Sequence, residues 1–284
     1  MNKRHIEQVL GFWFLRLCML FVVIVLAVIF YDIVSKGIGR ISWEFISAMP
    51  RKGMTAGGIL PAIVGTFMVT VITALLSVPL GMGCAIYLNE YARDNILTRV
   101  IRMSIRNLSG VPSIVYGLFG VVLFVNMMRF GTSVLSAGLT LGLMTLPWTI
   151  TASEEALKSI PNSYREGALA LGATKWQGIR TNVLPYAIPG MLTGTILGLA
   201  RAAGETAPIL FTGAAFYLPC LPRSAFSQFM ALPYHLYIMS TQHHAITTVR
   251  PIAYATALVL LALVFGMNLF AVIARYRLRK VKME

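Results

Sequence analysis

The sequence predicts an all-α membrane protein with six transmembrane helices. Of its 284 residues, 57% are hydrophobic and only 12% are charged. The mean hydropathy of +0.75 is typical of membrane proteins. A bilayer core needs about 20 apolar residues per helix. Six windows reach that length, at about 12–34, 59–88, 105–128, 132–152, 186–216 and 250–274.

The net charge of +14 could instead suggest a nucleic-acid-binding protein. Of the 24 basic residues, however, 16 fall in the N-terminal region, 89–106, 153–185 and the C-terminal tail, which six spans would place on one side. By the positive-inside rule this side, with both termini, is cytoplasmic. The excess of basic residues is therefore explained by the orientation of the chain in the membrane and by contact with lipid head groups. No basic stripe with interleaved aromatic residues remains to indicate nucleic-acid binding.

Catalytic and cofactor motifs are absent from the sequence. It contains no GxxxxGK[ST] and no GxGxxG, so any ATP that drives this protein must be hydrolysed by another chain. Cys18, Cys84 and Cys220 lack metal-ligand spacing, and the adjacent His243 and His244 are interpreted as polar loop residues. We predict no catalytic residue, no metal site and no cofactor in this chain.

The segment 153–185 is too long for a plain connection and is predicted to form a helix-turn-helix, here called the elbow. Ser163-Tyr-Arg-Glu166 has the spacing of a capping box at a helix start. Gly172 can adopt the left-handed conformation that ends a helix. Thr174-Lys-Trp-Gln177 would cap a second helix.

An apolar face is predicted on the first helix of the elbow, because Tyr164, Ala168 and Leu171 recur at i, i+4 and i+7. Such a face on a water-exposed surface would dock into a groove of another protein. The alternative is that it packs against the ends of the chain's own helices.

Arg201 and Glu205 are the only basic and acidic residues deep within an apolar segment. Ionisable groups within a membrane are functional candidates by default. Glycines at i+4 spacing let a neighbouring helix approach closely, and a proline predicts a bend or an unwound turn. At about 100° per residue, four such residues share the face of the charged pair: Gly190, Gly194, Gly198 and Pro208.

Two interpretations of this pair remain open. One is an internal i, i+4 salt bridge that neutralises both charges and packs the helix bundle. The other is an anion pathway, in which Arg201 offers a planar fork to an oxyanion. In this pathway the Glu205 carboxylate holds Arg201 in place and releases it, or repels the anion so that it is not trapped. Both can apply in alternate conformations.

The elbow resembles the EAA loop of ABC importer permeases, EAA-x3-G-x9-I-x-L-P. Glu166-Gly-Ala168, Gly172 and Leu184-Pro185 match, whereas Gly167 replaces an alanine and Asn182 replaces an isoleucine. The resemblance implies that the elbow is a coupling helix that inserts into a cleft of a separate ATPase. The coupling residues would be Ser163, Tyr164, Glu166, Gly167, Ala168, Leu171, Gly172, Ala173 and Trp176.

Arg201-Ala-Ala-Gly-Glu205-Thr-Ala-Pro208 is similar to the RxxGETAP element of phosphate permeases. Residues 57–66 and 110–120 also resemble that family. With the elbow, these stretches make the chain similar to phosphate-specific ABC transporter permeases of the PstA type. The resemblance assigns the substrate pathway to Arg201, Glu205, Thr206 and Pro208.

The resemblance also implies an architecture. Residues 1–284 would form a single transmembrane domain, with a MetI-like core of five helices over 59–274 and an additional N-terminal helix over 12–34. The external loop 217–249, together with 35–57, would form part of the surface that receives a binding protein. Plain solvated charge is the alternative for that surface.

The implied setting is the bacterial cytoplasmic (inner) membrane. The implied partners are a homologous permease of the PstC type, an ATPase dimer of the PstB type that binds ATP and Mg, and a periplasmic phosphate-binding protein of the PstS type. Transport would follow alternating access driven by the ATPase.

Three rival functions are compatible with parts of the sequence. An ion-coupled secondary anion transporter could use the same Arg–Glu pair with the carboxylate as proton carrier, but it leaves the elbow unexplained. An ABC permease for molybdate or sulfate is a nearer rival, and only the GETAP-type resemblance argues against it. A membrane-embedded enzyme would need catalytic residues clustered at one membrane surface, whereas only scattered His and Glu are found.

Overall fold

The computed structural model describes residues 3–280, with side chains for residues 8 and 10–277. Helices dominate the described chain, with one two-stranded hairpin between α2 and α3. The helices are α1 Lys3–Gly37, α2 Trp43–Ser47, α3 Leu60–Ile86, α4 Ile96–Leu108, α5 Ser113–Gly120, α6 Val134–Lys158, α7 Ser163–Ala170, α8 Lys175–Gly178, α9 Leu184–Ala202, α10 Ala207–Thr212, α11 Leu232–Thr241 and α12 Ile246–Lys280. The antiparallel strands are β1 Pro50–Arg51 and β2 Ala56–Gly57. A 3-10 turn covers Ile38–Arg40, and wide π-helical turns cover Tyr87–Tyr91, Val121–Met127 and Ile179–Val183.

Five helical segments of the described chain are long and apolar enough to cross a membrane, and a bent helix pair can provide a sixth crossing. The five are Leu10–Arg40, Leu60–Tyr91, Val134–Lys158, Lys175–Ala202 and Ile246–Arg277. The bent pair joins Ile96–Leu108 to Ser113–Met127 at 101°.

The bent pair differs from the sequence prediction of one continuous span over 105–128. A corner at residues 109–112 separates α4 from α5. Pro112 accounts for it, since a proline disfavours helical backbone at the preceding residue and offers no N–H to the turn before it. The Asn95 side chain accepts the Thr98 N–H at 2.9 Å and so begins α4 as a separate helix.

The crossing of α3 and α6 forms the centre of the bundle. Thr73 Oγ1 donates to the carbonyl of Gly138 at 3.1 Å. A Cβ at Gly142 would lie 2.6 Å from Leu76 Cδ2, so the two backbones are as close as glycine allows. Such small-residue contacts are the usual means of packing helices where lipid removes the hydrophobic driving force.

Most of α1 lies apart from this bundle. Its side chains over residues 10–31 are exposed, and α1 meets α12 near its end, where Gly37 lies against Tyr254 and Leu258. An apolar helix whose side chains are exposed over residues 10–31 is suited to contact with lipid.

A compact cap closes the end of the bundle where α3 begins. The predicted external loop 217–249 is more ordered than a solvent-facing loop, because it contains α11 with Leu232, Ile238 and Met239 fully buried. Phe45 of α2 packs into the same apolar cluster. Residues 217–249 therefore form part of a packed cap.

The fifth predicted span, 186–216, is divided in the structure. Helix α9 continues from the elbow through Ile179–Val183 and ends at Ala202, and α10 starts only at Ala207. The break at residues 203–206 lies just before Pro208, whose missing N–H and ring limit helical continuation, as the sequence predicted.

Candidate functional site

Arg201 and Glu205 lie at this helix break and form an ion pair, with Arg201 Nε 3.6 Å from Glu205 Oε1. The Arg201 side chain is 59% exposed and that of Glu205 is 19% exposed. The Arg201 guanidinium lies 5.0 Å from the centre of the Trp148 ring on α6, which is cation–π distance. The cation is therefore held from two sides while much of its surface stays open.

A cavity of about 220 Å³ opens beside Arg201. It lies between the α4–α5 corner, α6 and α9. Its lining comprises Leu108, Ser109, Gly110, Val111, Pro112, Ser113, Tyr116, Met144, Thr145, Trp148, Gly198 and Arg201. Arg201 is the only charged residue of this lining, so the cavity favours anions.

Glu205 faces a different, much narrower space of about 10 Å³ between α3, α6 and the cap, next to Thr66 and Thr70. Of the two other predicted pathway residues, Thr206 is half-buried and its carbonyl accepts the Leu210 N–H at 3.1 Å. Pro208 is buried, and a Cβ at Gly117 would lie 3.0 Å from its Cα. Pro208 therefore packs α10 against α5 rather than lining the open cavity.

The three glycines of α9 lie along α6, opposite residues spaced at i+4. A Cβ at Gly190 would come within 3.0 Å of Ala156 Cβ, and one at Gly194 would overlap the Cβ of Ala152. At Gly198 the nearest such atom is Trp148 Cβ, at 3.9 Å. Arg201 follows on the next turn, so the close crossing places it over the Trp148 ring.

We expect Gly194→Ala to lower the melting temperature of the purified permease, because an added methyl group in a packed interface costs about 1–3 kcal/mol. Gly266→Ala in α12 is the matched control, since nothing lies within 4 Å of a Cβ there. Alanine is favoured over glycine in helices by about 0.5–1 kcal/mol, so the control should melt at the same or a higher temperature. Equal melting temperatures for both variants would contradict the close crossing.

The elbow begins differently from the prediction. Asn162, before α7, already has helical φ and ψ of −64° and −26° and no side-chain hydrogen bond to the helix. A capping residue needs an extended backbone, so Ser163 and Glu166, both inside the helix, do not form the predicted capping box. The Glu166 N–H instead donates to the Asn162 carbonyl at 3.0 Å.

The remainder of the elbow forms the predicted turn and second helix. Gly172 has φ of +81°, the left-handed conformation that glycine tolerates best. Thr174 Oγ1 accepts the Gln177 N–H at 3.3 Å, and Gln177 Oε1 accepts the Thr174 N–H at 2.8 Å. This reciprocal capping box starts α8.

The apolar face predicted on the elbow is only partly free. Leu171 is 90% exposed and Trp176 is 51% exposed. Tyr164 is exposed too, but its ring meets Tyr186 edge to face at 5.1 Å. Ala168 is buried against Gly178, so it packs α7 on α8 and does not belong to the free face. The other predicted coupling residues, Ser163, Glu166, Gly167 and Gly172, are exposed, and Ala173 is half-buried.

The structure contains two ion-pair sites that the sequence did not predict, and both include residues of the segment 153–185. Arg165 of α7 contacts Glu90 in the π-helical turn that follows α3, with Nη2 2.7 Å from Oε1 and Nε 3.1 Å from Oε2. Its guanidinium also donates to the carbonyls of Ile160 and Leu157 at 2.8 and 3.0 Å. The Glu90 side chain is 4% exposed, so this pair joins the elbow to α3 through a largely buried contact.

The second pair joins α4 to α6. Arg102 Nε lies 2.9 Å from Glu154 Oε1, although the two are not aligned as a hydrogen bond, and Arg102 Nη2 donates to the Leu88 carbonyl at 2.6 Å. Lys158 Nζ lies 3.0 Å from the same Glu154 oxygen. The only available signal in the sequence was an acidic residue near a predicted span end with arginines in the preceding loop.

The cap holds two buried histidines. His243 Nε2 lies 2.8 Å from the Gly53 carbonyl, whereas neither ring nitrogen of His235 has a hydrogen-bond partner. Burial, reinforced by nearby His243, lowers the pKa of His235 to about 4, so this ring is neutral at pH 7. Among the residues whose side chains are described, no three His, Cys, Asp or Glu side chains cluster as a metal site would require.

Comparison with known proteins agrees with this architecture. Residues 77–280 match the family described as binding-protein-dependent transport system inner membrane component. The chain is 33% identical to the phosphate transport system permease protein PstA of Mycobacterium leprae, over 96% of this chain and 90% of that protein.

Several solved structures share the fold, and two of them illustrate it. The bacterial ABC transporter involved in the import of the acidic polysaccharide alginate superposes with a TM-score of 0.68 at 16% identity, over 97% of this chain and 99% of that one. The methionine ABC transporter MetNI, in an inward-facing conformation, superposes with a TM-score of 0.61 at 17% identity, over 78% of this chain and 97% of that one. The predicted MetI-like fold and the resemblance to phosphate permeases are thus confirmed. The chain belongs to the binding-protein-dependent transport system inner membrane component family and is a non-catalytic permease subunit of an ABC importer.

Proposed function

We propose that this permease imports inorganic phosphate across the bacterial inner membrane. The observation that carries the proposal is the position of Arg201, the one cation in the lining of a cavity between the α4–α5 corner, α6 and α9. Intramembrane cations facing a cavity characterise ion pathways, and a guanidinium matches an oxyanion in shape and charge. The names of the relatives support phosphate as the oxyanion.

The assembly we propose contains four kinds of subunit. A homologous permease of the PstC type completes the pathway, and a PstB-type ATPase dimer binds ATP and Mg and docks on the elbow at the cytoplasmic face. A PstS-type phosphate-binding protein delivers substrate to the cap. Both chain termini lie in the cytoplasm, which is the orientation that the positive-inside rule favours. The substrate pathway within this chain includes Arg201, Glu205 and Thr206.

Phosphate uptake into proteoliposomes tests the proposal. Vesicles that contain this chain, the partner permease and the ATPase should take up phosphate in the presence of ATP and the binding protein. Omission of the ATPase should abolish uptake. Uptake that persists without the ATPase would support an ion-coupled secondary transporter, and preferential uptake of sulfate or molybdate would replace phosphate as the substrate.

We expect Leu171→Asp to prevent stable binding of the ATPase. Leu171 is 90% exposed, so its replacement should not unfold the permease, whereas a carboxylate in an apolar docking groove loses its hydration without a partner. Trp43→Asp is the control, because Trp43 is 81% exposed but lies in α2, away from the elbow. Co-purification of the ATPase with each variant gives the measurement. Normal recovery with Leu171→Asp would exclude the exposed elbow face as the docking surface.

A further inference from the structure

We propose that the cavity beside Arg201 is a discrete binding site for a tetrahedral oxyanion of the phosphate class, in which Ser109 and Ser113 donate hydrogen bonds opposite the guanidinium. This inference rests on the proposed function. It goes further by assigning neutral ligand groups to the α4–α5 corner, so that phosphate stops at this position during transport.

The polar side chains that line the cavity differ in whether their hydroxyl groups already donate a hydrogen bond within the protein. Thr145 Oγ1 already donates within α6, where the carbonyl oxygens of Leu141 and Gly142 each lie 3.0 Å from it. Tyr116 donates its hydroxyl proton to the Leu108 carbonyl at 3.0 Å. Ser109 and Ser113 make no side-chain hydrogen bond within the described residues, so both hydroxyls are free to donate into the cavity.

Hydrogen bonds hold the α4–α5 corner in one conformation. The N–H groups of Ser109, Gly110 and Val111 donate to carbonyls of the last turn of α4 at 3.0–3.2 Å. The Tyr116 hydroxyl ties the first turn of α5 back to the end of α4. The two serines are therefore held on either side of the 101° bend, facing a space rather than a helix surface.

Size and charge also suit an oxyanion. The cavity of about 220 Å³ exceeds the roughly 30 Å³ that one water occupies in the liquid several times over, so a phosphate ion with a partial hydration shell fits. No carboxylate lies in the lining, and the nearest approach of Glu205 to Arg201 is at Nε, 3.6 Å away, with no hydrogen bond between the two. The terminal guanidinium nitrogens stay available for a bidentate contact with two phosphate oxygens.

Trp148 acts as a positioning residue for Arg201. Its ring supports the guanidinium at 5.0 Å and its Cβ lies opposite Gly198, so the α6–α9 crossing fixes the ring. A flat cation stacked on an aromatic face keeps its N–H edge directed away from the ring. This role predicts that an aromatic replacement preserves phosphate affinity and an aliphatic one does not.

The test is equilibrium binding of radiolabelled inorganic phosphate to the purified importer complex, alongside uptake. We expect the double variant Ser109→Ala/Ser113→Ala to weaken phosphate binding at least tenfold, and Trp148→Leu to do the same while Trp148→Phe retains most affinity. Ser104→Ala, an exposed serine of α4 outside the cavity, is the matched control and should bind as the unmodified complex does. Unchanged affinity in the double serine variant would overturn the site.

Thiol labelling supplies a readout independent of transport. In a background without Cys18, Cys84 and Cys220, Ser113→Cys should react more slowly with a methanethiosulfonate reagent when phosphate is present, whereas Ser104→Cys should not. Equal rates with and without phosphate at Ser113→Cys, or protection by sulfate alone, would refute a phosphate site. If the unmodified complex imports no phosphate, the proposed function fails; if it imports phosphate but the serine variants bind normally, only this site fails.

Discussion

Phosphate uptake is expected to fall to background when Arg201 is replaced by Gln, while the permease still assembles with its partners. Glutamine keeps hydrogen-bond donors but removes the only charge in the cavity lining. Without the charge the cavity no longer attracts an anion, and hydrogen bonds to a charged group, which contribute about 1.5–3 kcal/mol each, become weaker neutral ones, so uptake should fall at least about tenfold, toward background. Because the Arg201 side chain is 59% exposed, little folding stability depends on it.

Three companion variants separate the role of the charge from other effects. Arg201→Lys keeps the charge but has neither the fork nor the planar group that stacks on Trp148, so intermediate uptake is expected. Glu205→Gln should impair uptake less than Arg201→Gln. Arg99→Gln removes an exposed arginine of α4 outside the cavity and should leave uptake unchanged. Normal uptake by Arg201→Gln, measured in proteoliposomes, would rule out a pathway role for this residue.

The sequence predicted the helical membrane class because hydrophobicity over about 20 residues is a strong local signal. It also predicted the break near Pro208 and the glycine face of α9, since both follow from backbone chemistry at single positions. It did not predict the corner at 109–112, because the apolar residues of α5 and the apolar side of α4 merge into one hydrophobic window over 105–128. A single Pro112 gave little reason to divide that window.

The candidate site shows the same division between local and distant information. Arg201 and Glu205 could be found from the sequence because charge in an apolar helix is conspicuous. The aromatic ring that contacts Arg201 could not be found from the sequence, because Trp148 is 53 residues away and only the α6–α9 crossing brings it near. The Arg165–Glu90 contact spans 75 residues and was equally out of reach.

Breaking the Arg165–Glu90 pair is expected to uncouple ATP hydrolysis from uptake. In Glu90→Gln, Arg165 keeps its bonds to the Ile160 and Leu157 carbonyls but loses its counter-ion at a position where its side chain is 21% exposed. Removing one partner of a buried pair can cost about 3–5 kcal/mol. Because the Arg165 side chain is partly exposed, we expect the free-energy cost of breaking this pair to lie below that range. The elbow would then shift relative to α3, and movements of the ATPase would reach the membrane core poorly.

A double-mutant cycle distinguishes this coupling from general damage. Glu90→Gln, Arg165→Gln and the double variant should each lower the number of phosphate ions imported per ATP hydrolysed. The double variant should be no worse than the poorer single variant, because contacting residues are non-additive. Asp32→Asn removes the exposed Asp32–Lys36 pair of α1 and is the matched control, expected to match the unmodified complex.

The ratio of uptake to hydrolysis is the decisive quantity in this cycle, because a merely unstable permease would lose both activities together. Arg165 lies one residue before the exposed Glu166 of the elbow, and Glu90 lies in the π-helical turn Tyr87–Tyr91 that directly continues α3, the helix that crosses α6 at the bundle centre. Force applied at the elbow therefore reaches α3 directly through a bidentate ion pair, and through α3 the helix that carries Trp148. Strictly additive losses, or an unchanged ratio in all three variants, would show that the elbow moves the bundle by another route.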